Sequence, residues 1–443
     1  TYANETANGG AGWEPIGTAA TPFSVSFDGD GHTIAGLRIN RTTQEEAGLF
    51  GNATDVTIER VTLDNVNVSD GSNASGLVGY ATDVRITDVT VNGNVTGDSV
   101  ATFAGGAGIL AGYTVNGTIT NVAVNGNVLT DGAAGGVAGY VINGTVENAS
   151  MNENPDGIAT YEGVEANVLG RTAGGVVGST VPQSDGSVFT SGSVIRNSTA
   201  NATVAGQALV GGLAGVGETV TGSTADGAVS GQAYTGGLTG LALGDVTDSV
   251  ATGDVQYIDP DLGFTIPPEG NHGGLVGATG GNVTDSRATG NVDSSNGLVG
   301  GLVGTVGLSA LRANPSVNLS GVPTVDLSVV NSTAIGDVDG RSFVGGLVGV
   351  SDTGSNTVTI DTSNATGQVN GTANIGGLVG RATGSSPTHI SNSWASGSVN
   401  ATESGTTRAG GLVGAFFMGG NITASNASGT VSGNGKQVGG LVG

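Results

Sequence analysis

Residues 345–380 read GGLVGVSDTGSNTVTIDTSNATGQVNGTANIGGLVG. The stretch opens and closes on the same five residues, and between them lies IDTSNATGQV (360–369). GGLVG contains no nucleophile, acid, base or metal ligand, yet it also recurs intact at 273–277, 300–304, 410–414 and 439–443. Looser forms come earlier: AGLFG (47–51), SGLVG (75–79), GGAGI (105–109), GGVAG (135–139), GGVVG (174–178), GGLAG (211–215) and GGLTG (236–240). Copies spaced by about 25–45 residues are the mark of a repeat architecture.

The text between the copies repeats as well. It reads ITDVTVNGNV (86–95), ITNVAVNGNV (119–128), VTDSVATGDV (246–255), VTDSRATGNV (283–292), ISNSWASGSV (390–399) and ITASNASGTV (422–431). Each phrase starts on Val or Ile, alternates, passes a glycine and returns to a β-branched residue. This is period-two strand patterning broken by turn residues. One unit therefore offers three short strands: the GLVG segment, the V-x-x-S segment and the A-x-G-x-V segment. Such strands are too short to stand alone. The expected fold is all-β, a single-stranded β-solenoid or parallel β-helix with about three strands per coil and glycine-rich corners. Coils about 4.8 Å apart would stack thirteen copies into a rod of roughly 60 Å. Leu275, Leu302, Leu347, Leu378 and Leu412 should point inward, and Thr, Asn and Asp outward. One set of glycines should take positive φ at the corners. Another should make room in a narrow interior, together with Ala288, Ala365, Ala395 and Ala427.

Residues 1–46 should form an N-terminal arm and first coil, with Trp13, Phe23 and Phe27 as its cover, and residues 47–443 the repeat solenoid. Insertions at 151–170, 179–194, 255–272 and 305–328 break the period. The chain begins on Thr1 and ends within a GGLVG copy. A removed leader and further chain, or another copy of the protein, are the expectations at these ends.

Glycine supplies 85 of 443 residues and aromatics only 4%, so any core is thin and built of small side chains. Acidic residues outnumber basic ones 36 to 12, for a net charge of −24. That charge argues against nucleic acid and anionic lipid as partners. Lys436 is the only lysine. An acidic, lysine-poor surface is the pattern expected of a halophile, because high salt screens the self-repulsion. Cysteine is absent, which excludes disulfides and thiolate metal sites. No membrane-spanning apolar run is present.

The repeated phrase resembles the GLUG motif, named for its Gly-Leu-hydrophobic-Gly core. The entry text GWEPIG (12–17) and FDGDGHTIAGLRI (27–39) is similar to that of GLUG proteins too. GGAGI (105–109) departs from the pattern by lacking the leucine. The resemblance implies a bacterial or archaeal protein on or outside the cell, often adhesin-like. It transfers no catalytic residue.

Nineteen N-x-S/T triplets occur, and the candidates for glycosylation are Asn52, Asn73, Asn94, Asn116, Asn143, Asn197, Asn282, Asn331, Asn364, Asn400 and Asn426. An Asn- and Thr-rich chain also generates such triplets by chance. Aromatics beside acids in the insertions make Tyr161, Tyr257 and Phe264 candidates for a binding loop. Asp28, Asp30, Asp259 and Asp261 could give oxygen ligands to calcium, although neither EF-hand nor nonapeptide spacing is present. No other cofactor is implied. Paired acids at i,i+2 are the closest approach to a glycosidase arrangement, but the aromatic-lined groove such an enzyme needs is missing. The three histidines, His32, His272 and His389, lie far apart, and no hydrolase, zinc-protease or nucleotide fingerprint occurs.

These readings converge on an extracellular structural or adhesive rod at the cell surface, able to pair end to end with its own copies and to meet surface glycans or proteins. A secreted carbohydrate-binding or polysaccharide-degrading β-helix is the alternative. Threonine does not repeat in the register that an ice-binding face would need.

Overall fold

The computed structural model describes residues 7–41, 45–97, 105–154, 157–161, 164–181, 191–258, 270–308, 325–352, 354, 356–402, 405–417, 419–433 and 435–443. Among them the regular elements are β-strands, apart from a 3-10 turn at Ala7–Gly10. No helix of these residues is long and apolar enough to cross a membrane. The chain divides into two compact units. The first runs as far as Gln207 and includes Gly212–Glu218; the second takes Ala208–Gly211 and the chain from Thr219 onwards.

Each unit is made of repeats that pair in parallel with their sequence neighbours. In the first, Phe50–Thr54, Val78–Thr82, Ala111–Val115, Ala138–Ile142, Val177–Ser179 and Ala214–Gly217 form one ladder in chain order. In the second, Thr239–Ala242, Val276–Thr279, Val303–Val306, Val348–Asp352, Val379–Thr383 and Val413–Phe416 do the same. The intervening phrases build a longer sheet in which like pairs with like. Val283 lies beside Val329, Ala288 beside Ala334 and Val292 beside Val338. A one-residue slip would turn every buried side chain outward, so the alternation itself fixes the register. The architecture is thus a repetitive all-β array of parallel ladders, of the solenoid kind.

The repeat is more finely divided than the expected three strands. VTDSRATGNV (283–292) yields two strands of two residues, Val283–Thr284 and Arg287–Ala288, before the next begins at Val292. The break lies at Asp285, which sits in the left-handed region at φ 51°. The same position is left-handed in other repeats: Asp88, Asn121, Asn148 and Asn197 in the first unit, and Asp248, Asn331, Thr362, Asn392 and Ala424 in the second, all at φ of 47–56°. Asn and Asp tolerate this region best after glycine. The positive-φ corners expected of glycine are therefore largely carried by Asn and Asp, and the GGLVG glycines have none.

Close approach is what GGLVG requires. A Cβ on Gly346 would lie 2.2 Å from the Gly377 carbonyl oxygen of the next repeat and 2.9 Å from Ala365 Cβ. Leu275, Leu302, Leu347, Leu378 and Leu412 are fully buried. The Leu347 N–H donates to the Leu378 carbonyl at 2.9 Å, and Leu378 to Leu412 at 2.9 Å. Each such leucine contributes roughly 1.5–3 kcal/mol by burial.

At the start of the first unit, Phe23 stacks on Phe50 at 4.5 Å and Phe27 meets the same ring edge-on at 5.5 Å. Trp13 Nε1 donates to the Leu49 carbonyl at 3.1 Å. This aromatic patch lies over the first repeat.

Candidate functional site

Identical positions of successive repeats lie side by side about 4.8 Å apart, so a residue that recurs in sequence becomes a column in space. On the exposed side these columns are amides headed by acids. Asn116 Nδ2 donates to Asp83 Oδ1 at 3.0 Å, and Asn143 Nδ2 to Asn116 Oδ1 at 2.7 Å. Asn121 reaches Asp88 at 3.2 Å and Asn148 reaches Asn121 at 3.1 Å. In the second unit Asn370 donates to Asp339 at 2.7 Å and Asn400 to Asn370 at 2.9 Å. A carboxylate only accepts, whereas an amide accepts and donates, so an acid can start such a column and an amide extend it. Asp361 gathers hydrogen bonds from Ser391 Oγ, Asn392 Nδ2 and Thr362 Oγ1, which hold its carboxyl below the usual range.

These columns explain part of the sequon count. In N-S-T at 197–199 and 331–333 the Asn is a left-handed corner, the Ser is buried and the Thr starts a strand. The fold thus demands the triplet for its own reasons. Asn94, Asn116, Asn143, Asn197, Asn331 and Asn426 are exposed, while Asn52, Asn73, Asn282, Asn364 and Asn400 are half-buried. Asn116, Asn143, Asn282, Asn331 and Asn400 each commit an Nδ2 hydrogen to a column.

An aromatic column runs along the first unit. Tyr80 stacks on Tyr113 at 5.3 Å and 15°, and Tyr113 on Tyr140 at 5.0 Å and 36°. Tyr80 and Tyr113 are half-buried, and Tyr140 is buried. Burial raises the Tyr113 and Tyr140 hydroxyl pKa values, and the neighbouring tyrosine adds to the effect. Tyr80 and Tyr140 directly follow SGLVG (75–79) and GGVAG (135–139), whereas Tyr113 follows GILAG (108–112), which takes the register expected of GGAGI (105–109), so the column shows once the copies are set in that register.

Phe264, Asp259 and Asp261 lie outside the described residues, as does the side chain of Tyr161, whose backbone ends the strand Ala159–Tyr161 of a small hairpin with Val164–Ala166. Tyr257 is half-buried and meets His272 edge-on at 5.8 Å. Asp28 and Asp30 both face Arg60, which bonds Asp28 directly and lies 3.7 Å from Asp30. The Arg60 hydrogen bond pulls the Asp28 carboxyl below its ordinary value. This guanidinium already supplies the positive charge between the two acids, so the pair does not fit a calcium ion. Among the described residues no three His, Cys, Asp or Glu side chains converge to hold a metal.

Three buried polar features escaped the sequence. The first is a serine column in the second unit: the backbone N–H groups of Ser249, Ser286, Ser332, Ser363 and Ser393 donate to Oγ of the next repeat's serine at 3.1–3.2 Å. Each hydroxyl in turn donates to a carbonyl two residues back, as Ser286 does to Thr284 at 2.7 Å. The second is Glu218, 5% exposed, in the first unit. Its carboxylate takes the N–H groups of Ser191, Gly192 (3.1 Å) and Ser193 (2.8 Å) and the Ser191 hydroxyl (2.6 Å), tying down the end of an insertion. The third is His272, fully buried in a column with Thr235 and Val299. Burial drives its pKa down to about 4, with the Gln232 backbone opposing.

The described surfaces define a class: a repetitive all-β chain whose functional groups are columns of amides, hydroxyls and a few aromatics. No family model matches it, and no solved structure does. Over 96 residues, 21% of the chain, it is 41% identical to Halomucin of Haloquadratum walsbyi. Over 43 residues, 10% of the chain, it is 51% identical to a protein described as a Gly-rich membrane protein of Evansella cellulosilytica. The matched stretches amount to 1% and 5% of those proteins, so the chain spans a small part of either relative.

Proposed function

We propose that this chain is an extracellular structural and adhesive element of the GLUG-motif kind, from a salt-adapted microbe. The observation that carries the reading is the register: repeat after repeat presents the same outward column of Asn, Asp, Ser and Thr over a core of Leu, Val, Ala and Gly. Such a wall gives length and a hydrated face, and uses its polar groups on itself rather than on a reaction. The net charge of −24 and the likeness to a protein named Halomucin support the setting. Exposed Asn116, Asn197 and Asn331 are where attached glycans would project. Copies pairing through further parallel ladders would extend the wall into a filament.

Labelling of intact cells with an antibody against the repeats, beside electron microscopy of the purified chain at high salt, tests this reading. Surface labelling and elongated assemblies are expected. Signal seen only after cells are permeabilised would overturn it.

A further inference from the structure

Two of the chain's few cations and two of its few aromatics meet in the second unit. The Arg381 guanidinium lies 4.9 Å from the Phe343 ring centre and 5.3 Å from that of Phe417. Arg408 lies 5.4 Å from the same Phe417 ring and donates to Asn374 Oδ1 at 3.3 Å. Among the described residues neither guanidinium has an ion-pair partner, in a chain with three acids for every base. Arg381 Nε is buried with no hydrogen-bond partner.

Phe343 is held there by an irregular backbone. Leu298 pairs with Ser342 and Val299 with Val344, so Phe343 is an extra residue in the ladder, at φ 43°. A bulge of this sort re-aims a side chain, and a bulky residue in the left-handed region is unusual unless its surroundings impose it. Phe417 remains 39% exposed. Among the described residues the cluster therefore offers two guanidinium groups without an ion pair, an accessible phenyl ring and an amide.

We propose that Arg381, Arg408 and Phe417, framed by Phe343 and Asn374, bind the carboxylate of a uronate sugar in an acidic polysaccharide. A guanidinium fork matches a carboxylate in two parallel hydrogen bonds. The apolar face of a pyranose suits the exposed phenyl ring, and its hydroxyls suit the amide. A peptide is a poorer fit, because the strands here have no free backbone edge. Val379–Thr383 is paired on both sides, and so is Gly405–Gly410. Serving as a wall and holding a ligand on one face are separable properties, and binding measurements read only the second.

The test is calorimetric titration of the whole chain with tetragalacturonate, its fully methyl-esterified form and tetraglutamate. Tetragalacturonate should bind, and esterification should weaken it at least about tenfold, as should Arg381→Gln or Arg408→Gln. Circular dichroism establishes that each variant is folded. Should Arg381→Gln fail to fold, Arg408→Gln and Phe417→Leu carry the test, since both change side chains with solvent access. Absence of tetragalacturonate binding, equal binding of the ester, or undiminished binding by Arg408→Gln would overturn the site. Tetraglutamate binding as tightly as the sugar would overturn its assignment to a uronate.

Discussion

The early repeats of the first unit and the repeats of the second follow the same path with different fillings. After the left-handed corner the first unit places Val61, Val89 and Val122, and two residues later Leu63, Val91 and Val124. The second unit places Ser249, Ser286, Ser332 and Ser363 there, followed by Ala251, Ala288, Ala334 and Ala365. Both sets are buried. In the first unit the backbone runs as long strands, Arg85–Gly97 and Thr118–Thr130, and aliphatic contact holds it. In the second the corner separates strands of two to four residues, such as Val283–Thr284 and Val358–Asp361 before it and Arg287–Ala288 and Asn364–Ala365 after it, and serine hydroxyls stitch one repeat to the next. A parallel ladder can thus be stabilised by apolar burial or by a satisfied internal hydrogen-bond chain. The choice turns on whether each hydroxyl finds both a donor and an acceptor.

The GGLVG wall is what the two units share, so damage there should be large in both. Leu347→Asp and Leu77→Asp each replace a fully buried leucine by an unpaired charge. Each should cost more than about 4 kcal/mol. Urea unfolding followed by circular dichroism measures the loss. A mild effect in one unit alone would show that its wall tolerates water and that the common frame is not common.

Next in size is a difference confined to the second unit. His272 has an ordinary pKa of 6.5 lowered to about 4 by burial, so the unfolded chain binds the proton more readily. Its contribution is fully present above pH 6.5 and is lost as pH falls from 6.5 towards 4. The span corresponds to about 3 kcal/mol. His272→Val, which copies the neighbouring Val299, should flatten that part of the stability profile. Wild-type and variant melts from pH 7 to pH 4 check it, and parallel curves would refute the assignment.

The fillings themselves come third. Ser286→Ala removes the acceptor of the Ser249 N–H (3.2 Å) and should cost about 1–3 kcal/mol. In the first unit Val89→Ser should cost about 1–2 kcal/mol, because its hydroxyl has no serine neighbour. The triple change Val61→Ser, Val89→Ser, Val122→Ser should cost less than three times the single one, since a hydroxyl chain forms only when its members are adjacent. Strict additivity in the denaturation midpoints would mean that the serine column is merely tolerated.

What could be read from sequence followed from repetition along the chain. The parallel all-β array and the buried leucines have a fixed place in a fixed phrase, and apolar periodicity reports them directly. The roles of Asp, Asn and Ser were harder, because polar letters in a turn-rich phrase look solvated. Only the backbone shows Asp285 bending the chain and Ser286 facing inward. Contacts between dissimilar segments were out of reach. Glu218 meets Ser191–Ser193 across an insertion with no counterpart in the repeat, and Arg381, Arg408, Phe343 and Phe417 come from three successive repeats. Tyr80, Tyr113 and Tyr140 were within reach, since they follow equivalent glycines.

The smallest expected effect is a gain. The corner column accepts Asn, Asp or Gly in most repeats of both units, but Thr362 occupies it in one at φ 50°. A β-branched side chain there strains the backbone, while asparagine adopts the region with little penalty. Asn331 precedes it in the column and Asn392 follows, so an amide at 362 would also have neighbours of its own kind. Thr362→Asn should therefore raise stability by about 1 kcal/mol. Thermal and urea melts of the single variant are enough to see it. A loss would mean that the Thr362 hydroxyl, which donates to Asp361 at 2.9 Å, outweighs the strain. The corner would then be set by local hydrogen bonding in the second unit and by backbone preference in the first.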